Sequence, residues 1–216
     1  MGVHFNNYYP GQWNKSNDWS WQGITGSYSE TKYVTVYDNL GNLIYGNEPD
    51  STQTSQPPSI TVADVFGFED TSGWIAPAGI ATRNTTNKTQ GSASLRISGG
   101  GYQTINSIDL STAKITGETS TLKLDFYIGA TQPNRYWIGQ VQLFASCPSA
   151  GLYNAYIGQC ELTGLPYSAF STLSFTLSGD VLAILRGNYT DFSFKWALNT
   201  NSGSGPYLLD NMRFTN

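Results

Sequence analysis

The chain has 216 residues with charged side chains at only 12%, aromatic ones at 14% and a net charge of -4. That length suits one compact body plus an appendage, and the low charge with many aromatics suits an extracellular β-protein. The acidic balance gives counterion-release binding to nucleic acid nothing to work with, and an anionic membrane surface is disfavoured for the same reason.

His4 is the only histidine. A serine or cysteine hydrolase with a histidine base would therefore depend on one residue at the chain start, and a two-histidine copper site cannot be assembled. Cys147 and Cys160 are the only thiols, so zinc sites of four cysteines, or of two cysteines and two histidines, are also excluded. No run reaches the roughly 18 apolar residues that span a bilayer. The start MGVHFNNYYPG lacks the basic-then-apolar profile of a leader.

In chain order, YVTVYDNLGNLIYG predicts a hairpin: residues 33 to 37 alternate, Asn39 to Asn42 supply turn chemistry, and Leu43 to Tyr45 return. A piece of about 50 residues with so few strands buries little by itself. STQTSQPPS, residues 51 to 59, reads as a linker stiffened by its proline pair. Residues 60 to 216 then read as strands nearly throughout. TLKLDFYI and DFSFKWAL alternate strictly, and further strands are predicted at 65 to 69, 94 to 97, 102 to 110, 135 to 144, 152 to 162, 172 to 177 and 207 to 214. The fold class expected is all-β, an antiparallel β-sandwich. One short helix is signalled at SGDVLAILRG, with Ser178 or Asp180 as cap and Gly187 as stop. The spacing of Cys147 and Cys160, each flanked by strand-like residues, is compatible with a disulfide across one hairpin. Two buried free thiols are the other reading.

Two stretches carry resemblances. WNKSNDWSW followed by KYVTVYDNLGNLIYGNEP resembles the closing part of a family 3 (cellulose-binding) carbohydrate-binding module, over residues 5 to 49 only. In that family an Asn-Asp pair supplies calcium ligands, which here falls on Asn17 and Asp18, and a flat aromatic strip meets cellulose, which falls on Tyr8, Tyr9 and Trp13. VFGFEDTSGW, QGSASLRI and YLLDNMRF make the larger body, residues 60 to 216, similar to the jelly-roll carbohydrate-binding modules of bacterial plant-cell-wall enzymes. That resemblance implies a jelly roll and one structural calcium held by Glu69 and Asp210, with carbonyls from the 90 to 94 region. Oxygen ligands from a first strand, a last strand and a loop suit this ion, which takes 6 to 8 of them.

A sugar ring offers an apolar face and an equator of hydroxyls, so its sites combine flat aromatics with amides and charged groups. In RYWIGQVQLF, Tyr136, Ile138, Gln140, Gln142 and Phe144 share one parity, which we assign to a concave binding surface. Arg135 and Trp137 lie at the strand start, where loop residues rim a groove. In LYNAYIGQCEL either parity can extend the platform, through Tyr153 and Gln159 or through Asn154 and Tyr156. Trp196 reads as core, and Trp74 as either a lid over the core or a sugar platform. For a glycosidase, which needs paired carboxylates, only Glu161 with Asp125 can be nominated, and no motif surrounds either. The expectation is a secreted, non-catalytic polysaccharide binder, part of a larger enzyme whose catalytic domain is its partner. A structural or adhesive sandwich, or a small jelly-roll glycoside hydrolase, are the alternatives.

Overall fold

The computed structural model describes residues 60 to 215 together with two short strands of the N-terminal part. The chain divides into two compact units, Met1–Ser59 and Ile60–Asn216. In the first, β1 (Val36–Tyr37) pairs antiparallel with β2 (Leu43–Tyr45), Val36 opposite Tyr45. This is the hairpin expected from the alternation around Asn39 to Asn42. The linker at 51 to 59, Tyr8, Tyr9, Trp13, Asn17 and Asp18 lie outside the described residues.

The second unit opens with a helix where a strand was expected. α1 (Val62–Gly67) is closed by a capping box: the Thr61 hydroxyl accepts from the Asp64 amide at 3.2 Å, and the Asp64 carboxylate accepts from the Thr61 amide at 2.8 Å. Thr-Val-Ala-Asp is a helix start, and it prevails over the strand-like look of residues 65 to 69. Phe68 ends the helix in the left-handed region at φ 53° and stacks on Trp74, ring centroids 4.7 Å apart. The Trp74 indole donates to the Val65 carbonyl at 3.2 Å. Trp74 is thus core, and the sugar-platform alternative for it falls.

Ten strands follow: β3 (Trp74–Ile75), β4 (Ala81–Asn84), β5 (Ser94–Ile97), β6 (Tyr102–Ser107), β7 (Thr121–Thr131), β8 (Gly139–Cys147), β9 (Leu152–Glu161), β10 (Ala169–Thr176), β11 (Ser193–Thr200) and β12 (Gly205–Thr215). They form two five-stranded sheets, ordered β10-β7-β12-β5-β4 and β3-β6-β11-β8-β9, with every pairing antiparallel. The body is the expected β-sandwich. Between the sheets lie Leu122, Leu124, Phe126 and Ile128 of β7 and Phe194, Trp196 and Leu198 of β11, all buried. Strict alternation on these strands is what turns one face inward. The predicted helix is α2 (Gly179–Leu185), and Ser178 caps it through a bond from the Val181 amide.

Two expectations on β8 and β9 need correction. The strand predicted from residue 135 starts at Gly139, whose φ is 120° and where a Cβ would collide with the Asn199 carbonyl. Residues before it form a loop, and Ile138, expected beside Gln140 on the open face, is buried. The disulfide is also absent. Cys147 and Cys160 are free, Cys147 lying opposite Leu152 and Cys160 opposite Val141. Six residues of strand separate those two levels, about 20 Å at the usual rise, against a reach of about 7 Å between bridged Cα atoms. Equal spacing from a turn would be needed for a bridge, and the β8–β9 turn at 148 to 151 places Cys147 at its very edge.

Candidate functional site

The outer face of the β3-β6-β11-β8-β9 sheet carries the polar parity of each strand, arranged in rows that run across the strands. In the first row Tyr102 of β6 faces Asn199 of β11, Asn199 faces Gln140 of β8, and Gln140 faces Glu161 of β9. Thr104, Ala197, Gln142 and Gln159 make the second row. Asn106, Lys195, Phe144 and Tyr156 make the third, extended by Ile75 of β3 opposite Asn106. Neighbouring strands are about 4.8 Å apart, which brings side chains along a row within reach of one another. Ala197, between Thr104 and Gln142 in the middle of the face, is fully buried.

The amides are linked. Gln142 Nε2 donates to Gln159 Oε1 at 3.4 Å, the Tyr156 hydroxyl donates to the same oxygen at 3.2 Å, and Gln159 Nε2 donates to Glu161 Oε1 at 3.0 Å. In the third row the Lys195 ammonium stands 4.1 Å from the Phe144 ring centroid and also donates to Asn154 Oδ1. Phe144 meets the Tyr156 ring edge-on at 5.5 Å. This group forms a braced aromatic corner at one end of the face.

Tyr156 reaches that face because of a bulge. The β8–β9 register slips between Leu143 opposite Gly158 and Phe144 opposite Tyr156, which leaves Ile157 as the extra residue. Strict alternation sets Tyr156 against Gln159, and the bulge puts both on one side. Neither sequence parity of residues 152 to 162 was right over its whole length. Tyr153 stays outward at the far end, its hydroxyl 3.3 Å from the Pro148 carbonyl.

At the opposite end, Arg135, Tyr136 and Trp137 lie on the loop between β7 and β8. Tyr136 is 96% exposed and Trp137 39%, while Tyr102, at the start of β6, is 61% exposed. Gln132, Pro133, Asn134, Arg135 and Tyr136 line an open hollow. Gln140 and Gln142 therefore sit between aromatic residues at both ends. Tyr102, Asn199 and Lys195 were not singled out from the sequence. Their signal was present as the wet parity of SFKWALNT, the strand beside the nominated one, and of YQTINS, the next strand beyond it.

Glu69 and Asp210 meet one loop from two sides. Glu69 accepts from the Ser92 and Ala93 amides at 2.9 and 3.1 Å and from the Ser92 hydroxyl at 2.6 Å. Asp210 Oδ2 accepts from the Thr89 and Gln90 amides at 2.5 and 3.1 Å. The other Asp210 oxygen is buried and has no partner among the described residues. Burial pushes the Asp210 carboxyl pKa up, against the pull of the Thr89 and Gln90 amides. A buried carboxylate oxygen without a donor suits a cation, so Asp210 fits the implied calcium. Glu69 is engaged with amides and would have to release them. Among the described residues no cluster of three or more His, Cys, Asp or Glu side chains occurs, so backbone carbonyls would have to complete such a site.

Asp125 and Glu161, the one carboxylate pair nominated for hydrolysis, belong to different sheets. Asp125 is buried and held by Thr172 at 2.7 Å, Thr89 and Asn211 at 2.9 Å each and Arg213 at 3.1 Å. A carboxylate so fully engaged is a structural anchor, and it does not face Glu161.

Residues 1–46 match the family model described as a cellulose binding domain. The match lies on the segment whose resemblance was read from WNKSNDWSW and the hairpin that follows. Among solved structures, the chain is similar to a carbohydrate-binding module of the β-sandwich superfamily at 15% identity, with 84% of this chain and 72% of that one covered and a TM-score of 0.46. A module specific for non-crystalline cellulose shares 15% identity over 69% of this chain and 92% of its own, with a TM-score of 0.46. A xylan-binding domain from Paenibacillus barcinonensis shares 16% identity over 68% and 88%, with a TM-score of 0.41. No curated protein matches the chain.

Proposed function

We propose that the protein binds a plant-cell-wall polysaccharide, cellulose or a related β-glucan or hemicellulose, without catalysing a reaction on it. The observation that carries this reading is the outer face of the β3-β6-β11-β8-β9 sheet. Four amides, Gln140, Gln142, Gln159 and Asn199, form a band there, with exposed Tyr102, Tyr136 and Trp137 at one end and Tyr156 at the other. Amides supply both donors and acceptors to sugar hydroxyls, and the rings supply flat apolar surface to sugar C–H groups. The match of residues 1–46 to a cellulose binding domain supports the same ligand class. In this reading the protein is secreted and holds a catalytic partner near its substrate.

The same reading includes a structural calcium held by Asp210 and Glu69 with carbonyls of the 90 to 94 loop. The ion would supply fixed positive charge to the buried Asp210 oxygen and tie that loop to β12. Calorimetric titration of chelator-stripped protein tests this part: no heat and no change in melting temperature would remove it.

Binding itself is tested by depletion of the full chain from solution on microcrystalline cellulose, with soluble β-glucan as competitor. Depletion reversed by the soluble glucan is the result expected of the amide band. Depletion that soluble glucan leaves unchanged would move the site to the N-terminal aromatics. Protein that stays in solution, and ignores the glucan as well, would leave the adhesive-sandwich reading.

A further inference from the structure

The loop that carries Arg135, Tyr136 and Trp137 runs between β7, which ends at Thr131, and β8, which starts at Gly139. It has no sheet ladder to set its shape, so side chains must do so. Asn201, just past the end of β11, supplies the central restraint. Its side-chain nitrogen donates to the Asn134 carbonyl at 3.4 Å and to the Trp137 carbonyl. One amide nitrogen carries two hydrogens. Both are used here, on the two ends of the turn that holds Arg135 and Tyr136.

Asn201 is itself fastened to the core. Its backbone carbonyl accepts from the Ser204 hydroxyl at 2.5 Å, and the Tyr207 hydroxyl lies 2.8 Å from Ser204 Oγ. Tyr207 is fully buried on β12. The same hydroxyl lies 3.4 Å from Gln132 Oε1, and Gln132 Nε2 donates to the Gly129 carbonyl at 3.1 Å, so the loop is held from its beginning as well. A Cβ at Gly100 would collide with the Asn201 carbonyl, so the post sits against bare backbone. At the far end the Ile138 amide donates to Thr163 Oγ1 at 3.2 Å and the Ile138 side chain is buried.

We propose that Asn201 is a positioning residue of the glycan site: its amide clamps the Asn134 and Trp137 carbonyls and thereby fixes the aim of Tyr136 and Trp137. This rests on the glycan-binding reading above. An exposed aromatic loop that is already in its bound shape loses less conformational freedom on binding, which is where its affinity comes from. No other small polar side chain does the same work. Aspartate would set a charged acceptor against two carbonyl oxygens, and serine has one hydrogen to give.

The test uses the full chain as wild type, Asn201→Ala, Asn201→Gln and Asn201→Asp, with Ser202→Ala as the exposed neighbour control. Affinity is read with microcrystalline cellulose and soluble β-glucan. Accessibility of Trp137 is read by acrylamide quenching, taken as the difference from each variant combined with Trp137→Phe. Loss of two hydrogen bonds to a loop should weaken binding about tenfold in Asn201→Ala, with Asn201→Asp as weak or weaker. Trp137 should become easier to quench in both. Asn201→Gln, which keeps the donor, should recover part of the affinity, and Ser202→Ala all of it. Should the alanine variant fail to fold, the Gln and Asp pair gives the same comparison. Unchanged Trp137 quenching, or affinity within twofold of a wild type that does bind, overturns the positioning role and leaves the binding reading standing. A wild type that binds neither probe overturns both.

Discussion

Replacing Glu69 by alanine tests what this residue does in the sandwich. Its carboxylate receives the Ser92 and Ala93 amides and the Ser92 hydroxyl. Ala93 is fully buried behind this carboxylate, so its N–H loses a hydrogen bond to a charged group, at about 1–3 kcal/mol. Ser92 is exposed and can hydrate, so its two bonds add about 1 kcal/mol. A total of about 3 kcal/mol, at about 2–4 °C per kcal/mol for a body of this size, predicts a fall in Tm of about 6–12 °C. Glu69→Gln keeps one acceptor oxygen and should lose roughly half as much. The assay is thermal unfolding followed by circular dichroism, each variant run with calcium and with chelator. If Glu69 acts through the loop amides, the fall is the same in both conditions. A fall below about 2 °C would refute the amide argument. A fall seen only with calcium present would give Glu69 the ligand role proposed above in place of its amide bonds, and a fall that is the same in both conditions would leave such an ion to Asp210 and the loop carbonyls.

Trp74→Ala removes a ring stacked on Phe68 and should cost about 3–5 kcal/mol, seen as a lower urea midpoint, while glycan affinity of the folded fraction is unchanged. A loss of affinity larger than the loss of folded protein would return Trp74 to the binding site. Tyr156→Ala should weaken glucan binding about tenfold, or about 1.4 kcal/mol, without moving Tm by more than a degree or two; equal affinity would confine the site to the Tyr102 and Trp137 end. Thiol titration in denaturant without reductant should find both cysteines reactive. In the native protein Cys147 should react slowly, because burial pushes its pKa up and its thiol is held 3.3 Å from Asp191. A chain that titrates as thiol-free would restore the disulfide.

The sandwich was legible because period-two alternation is a direct imprint of a sheet with one dry face. Leu122, Leu124, Phe126 and Ile128, and Phe192, Phe194, Trp196 and Leu198, are all buried as that pattern requires. Alternation failed where the backbone changed phase. Gly139 turns the chain between Ile138 and Gln140, and the bulge at Ile157 shifts β9 by one residue, so a parity carried through either point assigns some side chains to the wrong face. The Thr61 to Asp64 capping box was readable in principle, but the apolar residues after it matched a strand equally well. The amides Gln140 and Gln142 were found because two of them on one parity are rare in a core. Asn201 was invisible because its role depends on a loop 64 to 67 positions away in sequence.

β9 is the outermost strand of its sheet and is far from regular. Its register slips twice against β8, and Asn154 stands in the left-handed region at φ 46°. An uninterrupted outer strand offers a regular row of N–H and C=O groups to any passing chain, and a broken one does not. A protein gathered densely along an insoluble polymer meets its own copies far more often than it does when dilute. The kinked border of β9 gives a neighbouring copy no continuous row on which to extend the sheet.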